Sequence, residues 1–274
     1  MEPIITIVTV CYNSESTIRR TIESVLEQNL SDIEYLIIDG ASTDETLAVV
    51  KEYEESFHGK MRVISEKDNG WYDAMNKGIR LAKGQFINFL NSDDYFEQGA
   101  IDKIVAYITE NKIMSDSVVY GDSTNVYMHS SGEIFNRRIA APKKISIADK
   151  GLLSGMCGIR HQSMFTGAKV FQKVGVLDLK YRLHADWDFL IKCVRQNIPM
   201  HYINENLTFY SMYGVSTKPD YRERTAVRKD NGLCGKFDLN YVKDRWGIKV
   251  FVKKILGEKR WNDWLFRIHC IVHK

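Results

Sequence analysis

The segment Phe86–Phe96, "FINFLNSDDYF", sets two adjacent carboxylates, Asp93 and Asp94, at the end of an apolar run. Such a run, short and bounded by polar residues, reads as a strand buried on both faces. The residues before it repeat the theme. "IITIVTV" (Ile4–Val10), "YLII" (Tyr35–Ile38) and "MRVI" (Met61–Ile64) read as three earlier strands. Helical patterns separate them: Ile18, Ile22, Val25 and Leu26 after Ser14 or Ser16 as cap, Leu47, Val50 and Phe57 within 44–57, then Met75, Ile79 and Ala82. Strands alternating with helices at this spacing predict right-handed crossovers and a mostly parallel sheet in an α/β fold.

In an open α/β sheet, ligands occupy the crevice beyond the carboxyl ends of the strands. Each strand here ends in polar residues: Thr9, Tyr12 and Asn13, then Asp39, then Glu66 and Asp68, then Asn91, Asp93 and Asp94. Adjacent carboxylates repel unless a cation sits beside them, and a hard divalent ion with oxygen ligands is the usual partner. Asp93 and Asp94 therefore read as a metal and ribose clamp. The competing reading is an Asx turn capping the next helix at 99–110, and the other polar strand ends favour the clamp. No G-x-G-x-x-G or G-x-x-x-x-G-K-[ST] follows the first strand, so a Rossmann oxidoreductase or P-loop NTPase would lack its phosphate cradle.

Composition narrows the class. At 274 residues with 44% hydrophobic content, the chain suits one large domain with an appendage. No cationic stretch precedes the first apolar residues, Thr6 and Thr9 interrupt them, and no apolar run approaches the roughly 20 residues of a bilayer span. The five cysteines, Cys11, Cys157, Cys193, Cys234 and Cys270, are odd in number and form no C-x-x-C pair. That pattern argues against a disulfide framework or zinc site and fits the reducing cytoplasm. The net charge of +3 is uneven: Lys243–Lys274 holds nine Lys/Arg against three Asp/Glu, leaving +6 there and −3 over the rest. In that tail Trp261, Trp264, Leu265, Ile268, Ile271 and Val272 share one helical face. A basic amphipathic helix of this kind suits either a peripheral contact with the anionic inner face of a membrane or packing on protein. Upstream, 213–229 is polar and basic and reads as a flap.

The segments "TIVTVCYNSESTIRRTIESVLEQ", "IIDGASTDET", "SEKDNGWYDAMNKGIRLAKGQFINFLNSDD", "VYGD", "RHQSMF" and "LHADWDFLIK" together resemble the nucleotide-diphospho-sugar glycosyltransferases of family 2, with the GT-A fold. The resemblance runs from Ile4 to Tyr213, and is greatest to bacterial enzymes of capsule, exopolysaccharide and O-antigen assembly. It implies a GT-A domain over 1–213 and a helical extension over 214–274. By the same resemblance, Thr9, Tyr12, Asn13, Asp39 and Asp68 hold the nucleotide of a UDP-type sugar donor. Asp93 contacts ribose or diphosphate, and Asp94 binds Mn²⁺ or Mg²⁺. Asp73 and Asn76, at the start of a helix, Asp122 after "VVYG", and His161 with Gln162 are implied contacts of the donor sugar or acceptor. Asn91 and Gly40 stand where many relatives have Asp, and Ala185 where many have Glu.

Direct displacement inverts the anomeric carbon and needs a carboxylate to take the acceptor hydroxyl's proton. Asp186, at the start of the helix in "LHADWDFLIKC", matches the Asp of the family's catalytic pair, with Asp188 as the alternative. The expected acceptor is a glycan or lipid-linked glycan, and nucleic acid is not an expected partner. A nucleotidyltransferase or an inactive nucleotide-sugar-binding module would use the same carboxylates; the first would attack phosphorus, and the second has no need of Asp186.

Overall fold

The computed structural model describes residues 2–128, 134–149, 151–152, 158–212 and 221–233. Four parallel strands come first: β1 (Ile5–Cys11), β2 (Ile33–Asp39), β3 (Met61–Ser65) and β4 (Phe86–Phe89). Helices α1 (Ile18–Leu26), α2 (Thr46–Lys51) and α3 (Trp71–Leu81) make the crossovers. Helix α1 starts with Thr17 at the cap position and no side-chain cap, in place of the serine cap the sequence suggests.

The fold then departs from a purely parallel sheet. After β5 (Tyr95–Phe96) and α4 (Ala100–Glu110), the long strand β6 (Val118–Met128) is followed by β7 (Ile134–Ile139), β8 (Met164–Gly167) and β9 (Met200–Ser211). Strand β8 runs antiparallel between β4 and β6, while β9 runs parallel to β6 with a register shift around Asp122. Strand order is β3-β2-β1-β4-β8-β6-β9-β5, with β7 on β6. Helices α5 (Ala168–Val174), α6 (Ala185–Arg195) and α7 (Tyr221–Asp230) complete the described elements.

The even and odd residues of β1 serve different layers. Val8 and Val10 pack with α3 and α6 residues on one face, and Ile5, Ile7 and Cys11 pack with α1 and α4 residues on the other. Both faces are buried, which explains the unbroken β-branched run. Helix α3 lies so close to β1 that a Cβ on Gly78 would meet Val8 Cγ1 at 2.4 Å. Val227 of α7 is fully buried in the core, so the described part of the expected extension packs with the main domain. The basic tail from Lys243 lies outside the described residues. No helix among the described residues is long and apolar enough to cross a membrane.

Candidate active site

The strand order reverses after β3, because β2 and β3 lie to one side of β1 and β4 lies to the other. Chains leaving β1 and β4 therefore diverge and open a crevice. A cavity of about 1040 Å³ fills it, walled by Tyr12, Asn13 and Gly40 at one end and by His161, Asp186 and Trp187 at the other.

At the first end, Tyr12 is 62% exposed at the mouth and Asn13 turns the chain with φ at +49°. Asn13 accepts from the Thr43 N–H at 2.9 Å, joining the loops after β1 and β2. Asp68 reaches over Gly40: a Cβ there would sit 3.1 Å from Asp68 Oδ2 and 3.4 Å from the Tyr12 ring. Burial pushes the Asp68 carboxyl up, and its ion pair with Lys77 pulls it back.

Two residues expected here face elsewhere. Thr9 shares the face of Ile7 and Cys11, is fully buried, and its hydroxyl accepts from Tyr35 at 3.1 Å. Asp39 is also fully buried and is absorbed by its own turn. Its Oδ1 accepts from Ser42 Oγ at 2.5 Å, and its Oδ2 accepts from the Ser42 N–H at 3.0 Å and Ser65 Oγ at 2.6 Å. A carboxylate with both oxygens so occupied has little left for a base.

The adjacent pair after β4 divides in the same way. A tight turn, with the Asp94 N–H bonded to the Asn91 carbonyl at 3.1 Å, sends the two side chains apart. Asp93 lines the cavity, and its carboxylate takes no hydrogen bond from another of the described residues; Arg20 bonds only its backbone carbonyl, at 2.9 Å. Burial pushes the Asp93 carboxyl up, partly offset by Arg20 and His161. Asp94 points inward, 1% exposed, and accepts from the Ser211 N–H at 2.8 Å, Gln162 Nε2 at 2.6 Å and Asn91 Nδ2 at 3.2 Å. The carboxylate expected to hold metal is thus closed inside a knot joining β4, β8 and β9, and its neighbour is the one that faces the cavity.

His161 and Gln162 sit on a one-turn helix before β8, held by Asn88 of β4. The Asn88 amide donates to the carbonyls of Gln162 at 2.8 Å and Met164 at 3.0 Å. Asn91, oriented by Asp94, directs Oδ1 toward His161 Nε2 at 3.4 Å, and His161 Nδ1 lies 3.0 Å from Asp186 Oδ2. Tyr72 donates to Asp186 Oδ1 at 2.9 Å. Burial pushes the Asp186 carboxyl up, but the hydrogen bond and charge of His161, with Tyr72 and His184, outweigh it and hold the group at about 2. Asp186 is therefore ionised at neutral pH, in the first turn of α6 where the helix dipole favours an anion. Asp188 is buried against Lys192 Nζ at 2.5 Å and Asn231 Nδ2 at 2.6 Å and does not line the cavity.

The remaining expected contacts, Asp73, Asn76 and Asp122, do not line the cavity. Asp73, in the first turn of α3, accepts from the Asn69 N–H at 3.0 Å. Asn76 is buried and pairs both ways with the Leu177 backbone, at 2.8 and 3.0 Å. Asp122 is satisfied by Arg138 at 2.8 Å, the Ala141 N–H at 2.9 Å and Tyr202 at 3.0 Å, outside the cavity. Sequence reasoning did not assign Tyr72 to Asp186, nor Lys67 and Arg224 to the wall. Arg160 also lines it, with its guanidinium over the Tyr210 ring at 4.5 Å.

A mixed sheet with a carboxylate-bearing crevice at its switch point and a second ionised carboxylate opposite defines the class as a transferase of the GT-A architecture. The chain belongs to glycosyl transferase family 2, whose model matches residues 6–166. It is 31% identical over 192 residues to a PGL/p-HBAD biosynthesis glycosyltransferase of Mycobacterium bovis, covering 70% of each chain. It is 35% identical over 249 residues to chondroitin synthase of Escherichia coli, covering 91% of this chain and 34% of that one. Among solved structures, S. aureus TarS 1-349 with UDP-GlcNAc superposes with a TM-score of 0.57 at 16% identity, over 82% of this chain and 61% of that one. Mannosyltransferase PcManGT from Pyrobaculum calidifontis, with GDP-Man and Mn²⁺, gives 0.57 at 14%, over 86% and 66%. The protein is thus a glycosyltransferase, with the fold of these enzymes.

Proposed function

We propose that the protein transfers a sugar from a UDP-sugar to an acceptor hydroxyl with inversion, in the assembly of a bacterial surface glycan. The observation that carries this reading is the ionised Asp186 carboxylate, fixed by His161 and Tyr72 in the cavity that Asp93 also lines. The acceptor hydroxyl attacks the anomeric carbon and its proton passes to Asp186, while the bond from that carbon to the diphosphate oxygen breaks. Oδ2 has lone-pair capacity beyond its bond to His161. His161 and Tyr72 hold the carboxylate still as the proton moves.

The nucleoside lies at the Tyr12 end, with the base over Gly40 and its imide N–H on Asp68. Lys67, Arg160 and Arg224 bring positive charge to the wall that meets the diphosphate. A divalent cation fits at Asp93, which lines the cavity together with Asn91. Among the described residues no group of three His, Cys, Asp or Glu forms a cage, and Mg²⁺-type ions usually take one or two carboxylates and complete their shell with phosphate and water. Bound there, the cation would neutralise the leaving diphosphate.

The test is nucleotide release from UDP-GlcNAc, UDP-GalNAc and GDP-mannose with Mn²⁺, followed by anomer analysis of the product. UDP release with inversion is expected, and Asp186→Asn should lower turnover by about 10² to 10⁴ with UDP affinity intact. Retained turnover in that variant, or release of pyrophosphate from a nucleoside triphosphate, would overturn the reading.

A further inference from the structure

The geometry points to Glu223, on α7, as the residue that positions the catalytic base; this rests on Asp186 being that base. Three successive backbone N–H groups precede α6, and all three donate to one carboxylate. Arg182 N–H reaches Glu223 Oε2 at 3.0 Å, and Leu183 and His184 N–H reach Oε1 at 2.6 and 2.8 Å. Successive N–H groups converging on one anion form a stiff local arrangement, and charge-assisted bonds of this type are the stronger ones. His184 is the cap residue of α6, and Asp186 follows two residues later. Orientation of the Asp186 backbone is therefore set from outside its own segment, by a helix some 40 residues further along the chain.

The rest of α7 keeps Glu223 in place. Val227 is fully buried, Arg224 lies over the Trp187 ring at 6.0 Å, and Asn231 donates to Asp188 at 2.6 Å. Tyr181, just before the N–H triplet, donates to Asp230 at 2.7 Å. Expected from sequence as a flap, the described part of this region is instead a clamp on the base-bearing turn.

Glu223 itself does not line the cavity, and its removal leaves Arg224 in the wall, so loss of this one carboxylate should act on turnover and leave nucleotide binding alone. The experiment uses the full chain and whichever of UDP-GlcNAc, UDP-GalNAc and GDP-mannose it turns over, with water as acceptor, and compares Glu223→Ala, Glu223→Gln, Asp186→Asn and the Asp186→Asn/Glu223→Ala double variant. Glu223→Ala should lose about 10²-fold in kcat, the scale of a small misplacement, with KM and UDP affinity unchanged. Glu223→Gln keeps one acceptor oxygen but turns an NH₂ on the other N–H groups, so its kcat should fall between wild type and alanine. In the Asp186→Asn background Glu223→Ala should change nothing further, because there is no base left to misplace. Wild-type kcat in a folded Glu223→Ala, or a full additional loss in the double variant, overturns the proposal. If the alanine variant does not fold, wild-type kcat in Glu223→Gln alone does so. An active Asp186→Asn protein, or no release from any of the three donors, would instead remove the reading of the site beneath it.

Discussion

Asp93 and Asp94 are neighbours in sequence and opposites in setting, and this separates what their substitution should do. Asp93→Asn removes a half-buried charge that no other described residue bonds. UDP binding in the presence of Mn²⁺ should weaken at least about tenfold, since one charge-assisted contact is worth about 1.5–3 kcal/mol, while the melting temperature holds or rises. Asp94→Asn turns an NH₂ toward the donors of Gln162, Asn91 or Ser211, which should cost about 1–3 kcal/mol of stability. Calorimetry with UDP and thermal unfolding of both variants would check this; a destabilised Asp93→Asn with normal binding would reverse the assignment. Asp186 carries a pH signature. Its carboxyl titrates at about 2 in the fold against an ordinary 3.8, so it contributes stability that is present above the ordinary value and lost as pH falls through the folded one. The melting difference between wild type and Asp186→Asn should shrink between about pH 4 and pH 2, and a difference that stays flat would contradict the His161 and Tyr72 anchoring.

At the scale of elements, the strands were legible because β-branched runs closed by polar residues have few other readings. What the pattern could not resolve was direction. Asp39 and Asp94 follow the same apolar runs as the cavity-lining Asp68 and Asp93, yet Asp39 sits on the buried end of β2 and a tight turn sends Asp94 inward, and neither leaves a trace in spacing. Thr9 does not line the cavity, which the pattern hid for a related reason, since on a strand buried on both faces alternation does not say which face meets it. Asp186 and His161 were named by resemblance, whereas nothing in the spacing around Tyr72 tells that its hydroxyl bonds Asp186. Packing of α3 on β1 gives a separate prediction. Gly78→Ala gains about 1 kcal/mol of helix propensity but drives a methyl into Val8, which is fully buried and cannot yield. Overpacking of this kind costs about 1–3 kcal/mol. Denaturant titration should show a net loss, partly recovered by adding Val8→Ala; a more stable Gly78→Ala would mean that the helix can slide.

For the whole molecule, the sequence indicated a parallel α/β sheet, and the antiparallel β8 between β4 and β6 was not legible because "SMFTG" is short and its partners are distant in the chain. The tail beyond Lys243 remains a matter of charge pattern. We expect it to draw the chain to anionic vesicles, at about 1 kcal/mol per basic residue near the surface, in sedimentation that weakens with salt and disappears when the tail is removed. A full-length chain that stays in the supernatant at low salt would assign the tail to protein contacts.

The reversal of strand order beside β1 has a consequence for how such a protein can change. The crevice is a product of wiring: the hole exists because two strands leave in different directions, whatever side chains line it. Its two ends also draw mostly on different parts of the chain, with Tyr12, Gly40 and Asp68 coming from the first three strand ends and His161, Asp186 and Glu223 from the last third of the described chain, while Tyr72 reaches across to Asp186. On the proposed reading, choice of nucleotide would then vary at one end with little effect on the Asp186 end, and a chain stripped of Asp186 would still keep the opening.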